Sequence, residues 1–217
     1  MSGPGTLSAR SEPERARWNR RYASADRHAT PVPNQFLVAE ASGMAPGRAL
    51  DLACGAGRNA VWLAERGWRV TAVDFSDVGL RLSRELGRSR GVKVDWIEAD
   101  VVEWAPASSA YDLVCVLYLQ MPASERRRVL RHAVDAVAPG GTLLVVGHDL
   151  SNLAEGWGGP PQAEVLYTPE DIVAEIAGLE VEKAQRVRRS IEEGGALHEA
   201  IDTLVRARRP GSAPPGA

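Results

Sequence analysis

The 217-residue chain carries 26 basic and 28 acidic side chains, a formal net charge of −2, with 44% hydrophobic residues. A nearly neutral chain of this size suits one domain with a sizeable core and has no global attraction to nucleic acid or an anionic membrane. No apolar run nears the ~18 residues of a membrane span, residues 1–10 lack the apolar core of a secretion signal, and two cysteines (54 and 115) argue for a reducing compartment, so a cytoplasmic protein is expected.

Residues 1–10, rich in Gly, Ser and Pro, are expected to be disordered. Ser11 with Glu14 three positions on forms a capping box, and Pro13 lies in the first turn, which predicts a helix to about Tyr22. Trp18 and Tyr22 share one face of it at i, i+4 spacing. Thr30 to Asn34 breaks the chain before a second helix over 35–41, so that residues 11–45 form an N-terminal helical segment. A strand then runs into a small-residue turn at Ala53 to Gly57, and an amphipathic helix, Asn59 to Arg66, begins at once and ends at Gly67. A second strand over 68–74 closes on Asp74, a helix covers 78–86, and a third strand over 92–97 leads to Asp100. The run 111–117 is almost wholly apolar, as a strand buried on both faces should be.

Ser124 is expected to cap a helix reaching Val137, with arginines 126 to 128 on its solvated face. Pro139-Gly140-Gly141 then turns the chain into a fifth strand, 142–146. Residues 148–167 hold three glycines and two prolines and are too long for an ordinary connection, which suggests a lid or an insertion. Thr168 and Pro169 open a further helix. Two alternating runs, 179–188 and 199–206, joined through Glu193-Gly194-Gly195 with no helix between them, predict an antiparallel hairpin at the sheet edge. The arginines at 186, 188, 189, 206, 208 and 209 are expected as exposed strand charges that discourage edge pairing. The tail beyond 210 is expected to be disordered. Strands separated by helices imply right-handed crossovers and a doubly wound, Rossmann-like α/β sheet of seven strands, mostly parallel, within a single domain over 11–209.

The turn after the first strand carries the chemistry. Glycines 55 and 57 admit close backbone approach, and the helix start behind them offers unpaired N–H groups to a carboxylate or phosphate. Gly55-Ala56-Gly57-Arg58-Asn59-Ala60 also fits the loose dinucleotide pattern, with Asp74 19 residues after Gly55. Asp51, inside the apolar strand, separates the readings: a carboxylate there repels a pyrophosphate but suits an ammonium group. The plain alternative is a strand-end acid that caps the turn. Asp74, at the end of the second strand, is placed to accept ribose hydroxyls. Phe75 beside it either packs on a base or fills the core. The histidines at 28, 132, 148 and 198 show no metal-ligand spacing, so no metal is expected.

Asp51-Leu52-Ala53-Cys54-Gly55-Ala56-Gly57 resembles motif I of the class I S-adenosylmethionine-dependent methyltransferases, whose first glycine is replaced here by Ala53. With Tyr111-Asp112-Leu113-Val114 and Ala138-Pro139-Gly140-Gly141-Thr142, the chain over roughly residues 15 to 208 is similar to the small-molecule branch that includes the TehB-like tellurite-resistance and thiopurine methyltransferases. The resemblance implies S-adenosyl-L-methionine as cofactor and S-adenosyl-L-homocysteine as product. It implies cofactor contacts from Asp51, Ala53, Cys54, Gly55, Ala56, Gly57, Asn59, Asp74, Phe75, Ser76, Asp100, Val101 and Leu117, with Trp18 and Tyr22 either folding over the cleft or simply docking their helix on the core. Asp100, with the Val101 amide, would meet the adenine edge, or else serve as a simple turn acid. The strand end from Leu117 to Pro122 is where such enzymes bring substrate to the methyl group. Its apolar and aromatic residues suggest a small, partly apolar acceptor, faced also by His148, Asp149, Asn152 and Trp157, with Tyr118 and His148 as candidate bases. No nucleic-acid or membrane partner is expected, and the chain is read as a monomer or homodimer. An NAD(P)-dependent reductase on the same glycine turn and a non-catalytic cofactor-binding module remain alternatives.

Overall fold

Glycine turns and alternating apolar runs resolve into strands and helices at nearly the expected positions in a computed structural model, which describes residues 12–24 and 31–211. The expectations for residues 1–10, for Ser11 and Thr30, and for the tail beyond 211 fall outside them. The chain divides into two compact units at Ala107 and Ser108.

The first unit contains α1 (Glu12–Ala23), α2 (Gln35–Ala41), β1 (Arg48–Leu52), α3 (Arg58–Glu65), β2 (Arg69–Asp74), α4 (Asp77–Ser89) and β3 (Asp95–Glu98). Strands β1, β2 and β3 pair in parallel, with Asp51 opposite Ala72 and Asp74 opposite Glu98. Leu50, Leu52, Leu63 and Leu80 are fully buried and form the centre of this core. Helix α4 runs past its expected end to Ser89, with Gly87 buried inside it rather than stopping it. It starts where Ser76 accepts the Gly79 amide, a side-chain cap.

The second unit contains β4 (Tyr111–Leu117), α5 (Ala123–Ala136), β5 (Val137–His148), α6 (Asn152–Glu155), a short 3-10 turn (Ala163–Val165), α7 (Pro169–Glu175), β6 (Glu180–Glu193) and β7 (Ala196–Arg208). Strands β4 and β5 are parallel, whereas β5 with β7 and β7 with β6 are antiparallel. The strand order is β3-β2-β1-β4-β5-β7-β6, so the expected seven-stranded, mostly parallel sheet with an antiparallel hairpin at its edge is present. The hairpin strands are 14 and 13 residues long. They outrun their apolar alternation because cross-strand hydrogen bonds continue to the Gly194-Gly195 turn whatever the side chains are.

Three expectations need correction. Ser124 does not cap α5: the helix starts one residue earlier, on the extended backbone of Pro122, whose carbonyl accepts the Arg126 amide. The Pro139-Gly140-Gly141 turn is absorbed as an irregularity inside β5, since the Gly140 amide donates to Arg209 and the Arg209 amide to Gly141. Arg126 is not on a solvated face. It is 5% exposed, donates twice to Glu175 on α7 (2.9 and 2.8 Å), and its guanidinium lies 5.1 Å from the Tyr167 ring centre. Position 126 lies four before Leu130, on the inward stripe, so the helix period places it inside; only the distant Glu175 makes that tolerable.

Removing one member of a buried ion pair leaves the other uncompensated. Glu175→Ala is therefore expected to lower stability by about 3–5 kcal/mol in urea denaturation, while the double variant Arg126→Met/Glu175→Leu recovers most of the loss.

Candidate functional site

Asp51 is the penultimate residue of β1, 1% exposed, and faces the start of α3. One of its oxygens accepts the backbone amide of Ala60 in the first turn of α3, so it caps the start of the helix rather than the turn. The other, Oδ2, is buried with no hydrogen-bond partner. Burial first, and then the neighbouring charge of Asp74, push its carboxyl from 3.8 up to about 7. Asp74 closes β2, 4% exposed, and its two oxygens accept the amides of Gly55 and Ser76, each at 2.8 Å. Burial still lifts its carboxyl to about 6. Two carboxylates thus lie under one turn with a single unpartnered oxygen between them, an arrangement that fits a cationic donor such as an ammonium group.

The turn itself departs from simple expectation. The amides of Cys54, Gly55 and Gly57 already donate to Val73, Asp74 and Cys54, so they are not available to a ligand as donors. Ala53 holds a left-handed φ of 60°, which explains why glycine suits this position: the constraint is backbone conformation more than space. A Cβ on Gly57 would meet Ser83 and Trp96 at 2.5 and 2.8 Å, so this glycine serves the packing of α3 on α4. Cys54 is buried, and burial raises its thiol well above the ordinary range, which removes it as a nucleophile.

Around this centre the other expected residues separate into two groups. Tyr22 belongs near it: its hydroxyl lies against Gly55, where a Cβ would collide with it. It is held there by α1, none of whose residues is fully buried, through polar ties: Arg15 to Asp77 and Glu98 (3.0 and 2.8 Å), Asn19 to Asp77 (2.7 Å), and Ser76 to Asn19 (2.6 Å). Trp18 stacks obliquely on Tyr22 at 5.6 Å, with the Arg21 guanidinium 4.8 Å from its ring centre. Phe75 is half-buried, and Val101 is buried. Asn59 and Asp100 are occupied elsewhere: the Asn59 side chain accepts the Asn34 amide that starts α2, and Asp100 accepts the Val102 amide as a turn acid.

In the second unit, Tyr118 and His148 come together. Their rings meet edge to face at 5.0 Å, beyond the buried Leu117. Asp202 and Arg189, which sequence reasoning missed, complete the cluster. Tyr118 donates to Asp202 Oδ2 (2.5 Å), and Arg189 Nε donates to both, at 3.0 and 2.9 Å. Asp202 carried the same signal as Asp51, a carboxylate inside an apolar strand, but in the hairpin it was passed over. Asp149 and Asn152 do not face an acceptor as expected. Asp149 accepts from Ser151 and Thr203, while Asn152 accepts the Ile201 amide and donates to the Gly158 carbonyl, pinning this segment to β7. Trp157 stacks on His198 at 3.9 Å and donates to Glu193. Of the hairpin arginines, 186, 188 and 208 are exposed as expected and 189, 206 and 209 are partly buried; Arg186 also lies 3.2 Å from Asp149, and Arg208 and Arg209 donate to backbone carbonyls. Among the described residues no cluster of three or more His, Cys, Asp or Glu could hold a metal ion, and no helix is long and apolar enough to cross a membrane.

Asp51 and Asp74 bind a proton more tightly folded than unfolded, so their contribution to stability is whole below about pH 4 and is lost as pH rises through about 6 and 7. At about 1.4 kcal/mol per pH unit, the ionised form of Asp51 is disfavoured by up to about 4 kcal/mol. Ligand-free Asp51→Asn is expected to melt above the unmodified protein at pH 8 and to lose most of that advantage by about pH 4; parallel melting curves across this range would contradict the assignment.

Comparison with known proteins agrees with this geometry. A family model described as a methyltransferase domain matches residues 49–141. The glycine N-methyltransferase of Rattus norvegicus is 30% identical over 145 residues, 59% of this chain and 49% of that protein. The demethylmenaquinone methyltransferase of Thermus thermophilus is 34% identical over 104 residues, 47% of each chain. The chain thus spans about half the length of these curated relatives. Among solved structures, TehB from Haemophilus influenzae superposes with a TM-score of 0.70 at 16% identity, over 85% of this chain and 65% of that one, a likeness of fold. Matched segment, strand order and buried carboxylate agree: residues 49–141 match a methyltransferase domain, set in a sheet whose order and superposition are those of a methyltransferase fold.

Proposed function

We propose that the protein transfers a methyl group from S-adenosyl-L-methionine to a small-molecule acceptor by in-line displacement, in the cytoplasm, as a monomer or homodimer. Residues 11–209 act in this reading as one catalytic domain, which the single seven-stranded order supports. The observation that carries the proposal is the buried, unpartnered Oδ2 of Asp51. A nucleoside bearing an amino acid brings an ammonium to that oxygen; a dinucleotide brings a second anion to a site already crowded with carboxylates. The relatives' names, which describe methyl transfer to glycine and to demethylmenaquinone, support a small acceptor.

When bound, the cofactor supplies a methyl group activated by a sulfonium. The chain's own residues align and dry the site. Asp51 holds the ammonium, Asp74 keeps the turn in shape and offers its remaining lone pairs to ribose hydroxyls, and Phe75, Asp100 and Val101 border the base. Tyr22 and Trp18 on α1 exclude water from the turn. Ala53, Cys54, Gly55, Ala56 and Gly57 shape the floor through their backbone, and Ser76 and Asn59 hold the flanking helices.

Calorimetry with S-adenosylhomocysteine tests this, with NADH as the competing ligand. Asp51→Asn is expected to weaken S-adenosylhomocysteine by roughly 10- to 100-fold, the 1.5–3 kcal/mol of a charged hydrogen bond. NADH binding that exceeds it, or an affinity indifferent to Asp51→Asn, would favour the reductase reading. Asp74→Ala is a less clean probe, because it strips the acceptor from the Gly55 and Ser76 amides as well.

A further inference from the structure

His148 ends β5 and stands directly across the antiparallel ladder from Asp202 on β7. Asp202 is fully buried in the midst of Ile201, Leu204 and Val205, where a carboxylate has no structural excuse. Its Oδ2 is saturated by Tyr118 and Arg189. Its Oδ1 has no partner, and neither has His148 Nδ1, yet the two atoms are 3.3 Å apart, close but out of line for a hydrogen bond. The ring is confined on both sides, by the Tyr118 edge and by Gly159, at which a Cβ would stand 3.0 Å from the imidazole. Tyr118 is fixed too: its backbone is left-handed, with φ 56°, and its proton is committed to Asp202.

These positions divide the roles. Burial and the neighbouring carboxylate raise the Tyr118 hydroxyl, which makes it a poor base at neutral pH. Burial acts to raise the Asp202 carboxyl, but the His148 ring beside it and the hydrogen bonds from Arg189 and Tyr118 together outweigh burial and keep it below the usual carboxylate range, so it takes no proton readily. The imidazole is the side chain left to accept a proton. A slight ring rotation points Nδ1–H at Asp202 Oδ1 and leaves a lone pair on Nε2. The charges also balance, Asp202 against Arg189 and Asp149 against Arg186, so the cluster has no excess cation to draw an anionic substrate.

We propose that His148 is the general base for the acceptor, that Asp202 and Tyr118 position it, and that the acceptor is therefore a neutral phenol or thiol that must lose its proton. This rests on the methyl-transfer reading above. In the step, the acceptor X–H bond breaks, its proton passes to His148 Nε2, and the bonding pair stays on X, which becomes the nucleophile; the imidazolium is held by Asp202. Halides and chalcogen oxyanions, already carrying a free pair, need no such group.

The test uses the full chain with S-adenosylmethionine and a panel of 4-methylphenol, 2-mercaptoethanol, iodide and tellurite, scored by S-adenosylhomocysteine release, together with nitrogen-15 spectra of the histidine rings. Turnover of the phenol or the thiol is expected. His148→Gln should lower kcat roughly 10²–10⁴-fold while leaving KM, melting temperature and S-adenosylhomocysteine affinity unchanged. Asp202→Asn should move the His148 ring from the Nδ1–H to the Nε2–H tautomer. Turnover confined to iodide or tellurite, an undiminished kcat in His148→Gln, or an Nε2–H ring in the unmodified protein overturns the proposal. If the whole panel is silent while S-adenosylhomocysteine binds, the tautomer decides in the same way. Failure of S-adenosylhomocysteine to bind at all is a different result and counts against the methyl-transfer reading instead.

Discussion

Two acidic side chains buried next to each other are a standing cost to the first unit, and the glycine turn is built around that cost. Asp51 and Asp74 emerge at the ends of β1 and β2, and each raises the burden on ionising the pair. Asp74 relieves part of it through the amides of Gly55 and Ser76, which also shape the turn. Asp51 is relieved on one side by Ala60 and left open on the other. A fold that wanted only stability would place an amide or a leucine there. Retaining the carboxylate is intelligible if a positive group arrives to complete it, which is the stability-for-function exchange seen at binding sites generally.

The second unit repeats the device with a different outcome. Asp202 is as deeply buried as Asp51, but Arg189 and Tyr118 are supplied within the chain, so its charge is stabilised before any ligand arrives. What stays unfinished is a single oxygen opposite His148. The hairpin β6–β7 is thus more than an edge closure: β7 provides the carboxylate and β6 the guanidinium. The segment after β5 is tied back to the hairpin by Asn152, Asp149 and the Trp157–His198 stack, which makes it a fixed wall at these points.

Much of this was legible in the chain. Short apolar runs punctuated by glycine gave the strands, the Asp51 to Gly57 spacing gave the turn, and the absence of a helix between the last two runs gave the hairpin. These features are local, and local backbone preference with hydrophobic period is what a sequence displays directly. At Ala53 the sequence shows the small residue, but only the backbone shows why glycine suits the place, a left-handed φ of 60°.

What the sequence determined by itself, then, was which segments become strands and helices and which carboxylate lies under the glycine turn, because those follow from neighbours within a few positions. Tertiary structure alone decided which polar atoms remain unspent. Gly55 and Gly57 amides are consumed, Arg126 finds Glu175 49 residues away, Asn59 turns to Asn34, and Tyr118 reaches Asp202 across 84 positions. Hydrogen-bond satisfaction is a property of atoms brought together by the fold, and no period or spacing along the chain records it.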